Sequence, residues 1–375
     1  MAGIYLHIPF CEKKCAYCDF YSVANSKSKN DFVDALCKEI VLRKQYLNNE
    51  KVQTIYFGGG TPSLLSPNQI HRILNTITTN FDLENKLEIT LEANPDDLSE
   101  NYLKDLYKLG INRLSIGVQS FQNEYLKLMR RRHTNHQAIA AIKNAQNIGF
   151  GNISLDLMYG LPNLSLTDWE KNIEQAINLN ATHISAYHLT IEPNTLFDRY
   201  FRNGKINLPT ETQSLDQFKF LIDKMSEKGF LHYEISNFAI DGFISLHNTN
   251  YWMGVKYLGL GPSAHSYNLS SRQWNIRELR GYLDGIFKGE LVCEIENLSK
   301  TEKFNDYIIT SLRTIWGSNT KKIKQDYGDE FQNYFLKKSK KYIQNNMMIK
   351  NGENYILTSE GIFISDNIIQ DFLFV

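Results

Sequence analysis

No apolar run in the chain approaches the ~20 residues that a bilayer-spanning helix requires, and the apolar stretch at its start is broken by His7 and Pro9. That stretch is too short and too polar for a signal peptide. Net charge is also missing: 41 basic residues balance 41 acidic ones, so no global field favours nucleic acid or an acidic substrate. There is no even set of cysteines either. Five occur in 375 residues and three of them are clustered, which argues against a disulfide framework and for a reducing compartment. Internal repeats and low-complexity linkers are lacking. What remains is a cytoplasmic globular protein, long enough for one large α/β domain of ~200–250 residues plus a smaller one.

The clustered cysteines, Cys11, Cys15 and Cys18, follow an apolar strand-like run, Ile4-Tyr5-Leu6-His7-Ile8-Pro9-Phe10. Their spacing is C-x3-C-x2-C. A closed tetrahedral zinc site takes four ligands, usually from two C-x2-C pairs, and no fourth ligand lies nearby. Three thiolates suit three corners of a [4Fe–4S] cube and leave one iron open to a small chelating ligand. Cys37, in an amphipathic helical pattern, and Cys293, beside Val292, read as packing residues.

From residue 2 to about 190, short β-rich runs alternate with helical patterns, the signature of βαβ units and a parallel sheet. Strands are expected at Gly3–Ile8, Val52–Phe57, Leu87–Leu91, Arg113–Gly117, Asn152–Met158 and His183–His188. Helices are expected at Asp31–Tyr46, Pro67–Thr79, Ser99–Leu109, His136–Ile148 and Asp168–Leu179. Six such units fit an incomplete parallel (β/α)6 barrel better than a closed eightfold one, with ligands gathered at the carboxyl ends of the strands. After residue 190 the pattern mixes a helix, Leu215–Lys228, with irregular segments and a glycine-rich apolar run, Tyr257–Tyr267. From about residue 301 helices dominate, followed by a hairpin-like piece at Met347–Leu357 turning on Asn351-Gly352. That order suggests a mainly helical, winged-helix-like C-terminal domain. The expected division is therefore a partial barrel over 1–230, a connecting region over 231–300 and the helical domain over 301–375. Residues 300–350 hold eleven Lys or Arg against five Asp or Glu, densest at Lys337-Lys338-Ser339-Lys340-Lys341; a solvated helix face is preferred here to a docking surface.

Gly58-Gly59-Gly60-Thr61-Pro62 follows directly on the second strand, and consecutive glycines let a ligand lie against the backbone. The third, fourth and fifth strands run into Leu91-Glu92-Ala93-Asn94-Pro95, Gly117-Val118-Gln119-Ser120-Phe121 and Leu155-Asp156-Leu157-Met158-Tyr159-Gly160-Leu161-Pro162. Each apolar strand stops on a polar residue at the edge where ligands sit, which gives convergent donors and acceptors for a polar ligand. Arg131, within Arg130-Arg131-Arg132-His133, is a candidate carboxylate clamp, with its two neighbours as rivals.

Taken together, these motifs resemble the radical S-adenosylmethionine (SAM) superfamily. Within it they resemble the family of oxygen-independent coproporphyrinogen III oxidase, HemN, with its haem-chaperone branch, HemW. The resemblance spans nearly the whole chain. It implies that Cys11, Cys15 and Cys18 hold a [4Fe–4S] cluster whose open iron takes SAM. It also implies that Gly59, Gly60 and Thr61 contact the amino group of SAM, Tyr5 and Tyr17 lie along it, Glu92 and Asp156 address its ribose, and Gln119 and Arg131 its ribose or carboxylate side. The oxidase carries a further cysteine two residues after the third, where this chain has Phe20, and a longer N-terminal extension for which Cys11 leaves no room. Both departures, and His247-Asn248-Thr249-Asn250-Tyr251-Trp252, resemble the chaperone branch. By that resemblance the cargo is haem, with His247 as an axial ligand flanked by Tyr251 and Trp252, and the partners are haem-accepting proteins of respiratory type. His7, His188, His232 and His265 are unranked second ligands. The alternative is an oxidase that cleaves SAM to a 5′-deoxyadenosyl radical and decarboxylates a porphyrinogen. No nucleic-acid partner and no membrane span are expected; peripheral membrane association and oligomeric state stay open.

Overall fold

The computed structural model describes residues 1–24 and 27–375. The chain opens with β1 (Ala2–Ile8), α1 (Lys29–Leu42), β2 (Val52–Gly59), α2 (Pro67–Asn80), β3 (Leu83–Ala93), α3 (Glu100–Lys108) and β4 (Arg113–Gln119). It continues through α4 (Asn123–Leu128), α5 (Asn135–Ile148), β5 (Asn152–Tyr159), α6 (Leu166–Asn178) and β6 (His183–His188). All six expected strands are present, within a few residues of their expected bounds. Helix starts are set by local chemistry. Ser66 and Gln69 form a reciprocal capping box at α2, and Thr134 and Gln137 another at α5, each satisfying N–H groups that a first helical turn leaves without partners.

β1 to β6 lie side by side in chain order, all parallel. Right-handed crossovers between sequential neighbours put every helix on the same face, so the sheet curls with its helices outside and its other face turned inward. The strands' alternation divides the residues accordingly. Ile4, Leu6, Ile55 and Phe57 are fully buried under the helices, whereas Tyr5, Tyr56, Glu92, Asp156 and Tyr187 face the interior. Tyr187 is 42% exposed although it sits deep in the molecule, which identifies the interior as an open lumen.

The chain next forms α7 (Leu196–Arg202), α8 (Glu211–Glu227), β7 (Leu231–Glu234), β8 (Asn237–Ala239), α9 (Leu246–Trp252), β9 (Lys256–Leu260), β10 (His265–Tyr267), β11 (Ser271–Asn275), α10 (Leu279–Lys288) and β12 (Cys293–Asn297). The stretch 231–300, expected only as a connecting region, thus extends the sheet at both ends. Among the described residues the order is β12-β11-β10-β9-β1-β2-β3-β4-β5-β6-β8-β7, twelve strands whose two outer members do not pair with each other. The barrel is incomplete, as expected, but longer-walled.

The last segment comprises α11 (Lys300–Ser311), β13 (Ser318–Asn319), α12 (Thr320–Tyr327), α13 (Asp329–Gln344), β14 (Met348–Asn351), β15 (Asn354–Leu357), α14 (Ser359–Phe363) and α15 (Ser365–Phe372). Its strands form a separate sheet, β13-β15-β14, and Phe304, Ile308, Phe335 and Phe372 anchor a second core. Part of its basic run has a structural use. Lys338 and Lys341 both pair with Asp371, fixing α13 to α15 and holding the Asp371 carboxyl down at about 2.

Candidate functional site

The three cysteines lie on the loop that leaves the carboxyl end of β1, and all are free and partly exposed. Among the described residues no three His, Cys, Asp or Glu side chains gather closely enough to hold a single metal ion. A four-iron cube takes its thiolates from more widely separated points. Donors are already turned toward the sulfurs: Arg131 Nη1 donates to Cys15 Sγ at 3.3 Å and Thr61 Oγ1 to Cys11 Sγ at 3.4 Å. Donors so placed soften the charge on the sulfur ligands of a cluster, so the residues present fit one. Burial, the leading influence on Cys18, pushes its thiol up to about 11; a metal must therefore displace the Cys18 proton on binding.

The geometry resolves the arginine triplet. Arg130 reaches the surface hydroxyl of Tyr200, and Arg132 pairs with Glu12, Asp96 and Asp97. Arg131 alone turns inward, donating to Asn94 Oδ1 at 2.5 Å and the Gly117 carbonyl at 2.6 Å as well as to Cys15. Gln119 ends β4 in a left-handed conformation, φ 64°, beside Arg131.

Gly60 follows β2 directly, and a Cβ there would stand 2.6 Å from the Phe10 carbonyl, 2.9 Å from that of Ile8 and 3.1 Å from Cys11 Sγ. The glycine here therefore has a structural use. It lets β2 pass beneath the cysteine loop at backbone contact, which the sequence alone does not reveal. Gly59 has φ +104°, a conformation open mainly to glycine.

Inside the lumen, Glu92 accepts from the Tyr56 hydroxyl at 2.8 Å and Asp156 from Ser115 at 3.0 Å. Removal from bulk water raises both: Glu92 to about 7 and Asp156 to about 6, in each case against hydrogen bonds that favour the carboxylate. Two acceptors at the strand ends suit a diol. Tyr17 lies between the cysteine loop and Phe197. Tyr5 stands in the lumen over Tyr56, ring centroids 6.1 Å apart. The expected SAM contacts thus share one rim and one lumen.

His247 lies at the floor of this lumen, its ring stacked on Tyr56 at 4.9 Å and on Tyr5 at 6.4 Å. It begins α9, whose first N–H groups are capped by Glu88, and its ring lies against Gly3 and Thr54 at the amino ends of β1 and β2. Five residues along β1 separate Gly3 from the cysteine end, roughly 16 Å at strand rise. Both ring nitrogens are engaged, Nδ1 with Thr54 Oγ1 at 2.8 Å and Nε2 with the Tyr251 hydroxyl at 2.9 Å, and the residue is 2% exposed. The expected axial ligand is therefore buried, with both ring nitrogens partnered inside the protein. The Tyr251 hydroxyl bonded to Nε2 also sets the two rings edge to face, centroids 4.9 Å apart.

Tyr251 in turn helps wall a cavity of about 460 Å³ that runs from Tyr5 and Tyr17 past Cys18 to His265 and Arg277. A larger space of about 720 Å³ lies across Tyr251 and Tyr257, toward Tyr307 and Tyr327, and has no cysteine in its wall. Sequence reading missed Tyr56, the donor to Glu92, and Arg113, which is 1% exposed at the start of β4 with Nε and Nη1 unpartnered. A charged residue opening an apolar strand was the available signal.

Residues 5–176 match the model of the radical SAM superfamily, and residues 298–364 that of the HemN C-terminal domain. A protein of Bacillus subtilis named heme chaperone HemW is 34% identical over all of this chain and 99% of its own length. The HemW of Lactococcus lactis is 33% identical over 98% of this chain and 96% of its own. The chain belongs to the HemW family. Its fold is also that of coproporphyrinogen III oxidase, HemN, from Escherichia coli: TM-score 0.86, 25% identity, covering 99% of this chain and 90% of that one. HemW and HemN thus share one scaffold, and function must be argued from the site. Among the described residues no helix is long and apolar enough to cross a membrane.

Proposed function

We propose that this protein is a haem chaperone: it binds haem, passes it to haem-free acceptor proteins, and carries a [4Fe–4S] cluster with SAM on the cluster's open iron. The observation that carries the reading is the cavity beside Cys18, whose tyrosine walls apart from those given to SAM, at Tyr21, Tyr251 and Tyr257, suit a flat aromatic ring. Its volume falls within the ~300–1,000 Å³ typical of ligand pockets.

In this reading Cys11, Cys15 and Cys18 hold the cluster, and Arg131 and Thr61 donate to its sulfurs. When bound, the cluster supplies a Lewis-acidic iron and an electron. Glu92 and Asp156 accept from the ribose hydroxyls of SAM, Gly59, Gly60 and Thr61 border its amino group, Tyr5 and Tyr17 lie along it, and Gln119 and Arg131 close the carboxylate side. His247 holds Tyr251 against the haem cavity. The chain divides functionally at about residues 230 and 300, the final segment closing over the trailing strands.

Phe20, 68% exposed in the cavity wall, stands where HemN has a cysteine, and this favours the chaperone over the oxidase. The test is to incubate reconstituted protein with coproporphyrinogen III, SAM and a strong reductant, and in parallel to offer the haem-loaded protein to a haem-free acceptor. Haem transfer without protoporphyrinogen formation supports the chaperone; steady SAM-dependent product formation reverses the reading.

A further inference from the structure

Resting on the haem-chaperone reading, we propose that His265 ligates the haem iron, from the wall of the cavity beside Cys18. Imidazole is the usual proximal ligand to such iron, and the chain has nine histidines. The structure sorts them by what their ring nitrogens already do. His7, His183 and His247 have both nitrogens engaged. His133 bonds the Val118 carbonyl and is otherwise enclosed. His188 and His232 each hold one partner and do not line this cavity, and His71 and His136 lie on the outer helices α2 and α5. His265 is the exception: it is exposed, it lines the cavity, and among the described residues neither of its ring nitrogens has a hydrogen-bond partner.

The backbone holds His265 as a ligand should be held. It begins β10, in register with Trp274 on β11, and its ring stacks at 6.1 Å on the Trp274 ring. Gly259 passes so close that a Cβ there would collide with the His265 carbonyl, and Ala264 accepts from Asn275 N–H at 2.9 Å. Burial, then the charge of Arg272, keeps the imidazole below its ordinary pKa. Arg277 stands at the same cavity, a cation for a propionate.

The test compares haem with metal-free protoporphyrin IX on the full-length, cluster-reconstituted protein. His265→Ala should weaken haem at least tenfold and shift its Soret band, leave protoporphyrin affinity within about twofold, and recover the wild-type spectrum when free imidazole is added. Equal loss of both porphyrins would make His265 a wall residue and overturn the ligation. A wild-type haem spectrum in a His265→Ala protein with an unchanged melt would also overturn it, while leaving the chaperone reading intact. Failure of the wild type to bind haem at all would overturn both. His265→Tyr, which keeps a side-chain donor at the same position, should bind haem with a phenolate-type spectrum; an unaltered imidazole spectrum there would count against the assignment.

Discussion

Arg131 donates to the sulfur of Cys15 across 116 residues of sequence, tying the segment after β4 to the loop after β1. The same guanidinium also holds Asn94 and the Gly117 carbonyl, so one side chain spans the carboxyl ends of three strand units. Arg131→Lys keeps the charge and loses the fork. Iron and sulfide content after reconstitution should fall at least twofold, and thermal stability by about 1–3 kcal/mol, because buried acceptors are left unmatched. Full cluster content in the variant would mean the contact is incidental.

Gly60→Ala places a methyl group against the Phe10 carbonyl. The cysteine loop must move to admit it, so cluster content and SAM affinity should fall together, SAM by more than tenfold. A variant with normal iron and weakened SAM would show instead that Gly60 serves the ligand alone.

Glu92 titrates at about 7 in the fold against 4.5 when solvated. Between those values the folded protein keeps a proton that the unfolded chain releases, so stability of the SAM-free protein should fall as pH rises through that window. Glu92→Gln removes the effect, gaining about 1–3 kcal/mol at pH 8 while losing SAM affinity. Denaturant melts at pH 5 and 8 decide; identical pH dependence in the two proteins would refute the buried-carboxyl account.

His247→Ala removes the partner of Thr54 and Tyr251. It should lower stability by about 1–3 kcal/mol and leave the axial-ligand signature of bound haem in place, with any change in affinity arising through Tyr251. Disappearance of that signature in a folded His247→Ala protein would make His247 the ligand.

The fold was readable because β1 to β6 are buried parallel strands, written as near-continuous apolar runs between amphipathic helices. β7 to β12 are short and mixed in character: Ser271–Asn275 has neither a clean alternation nor an apolar run, and pairing to a pre-existing edge makes it a strand. The rim of the site was legible as polar residues at strand ends. Which arginine turns inward, and that His247 sits at the opposite end of the strands, were not. Both depend on packing between segments far apart in sequence, α9 with β1 and β2, Arg131 with Cys15, and local pattern carries no trace of it.

The most direct test is an anaerobic titration of the reconstituted protein with haem, followed by its visible spectrum and then by addition of a haem-free acceptor. A chaperone should bind haem stoichiometrically while retaining its cluster, and the Soret band should move to the acceptor. An intact cluster with no haem bound, or bound haem that never leaves, would contradict it.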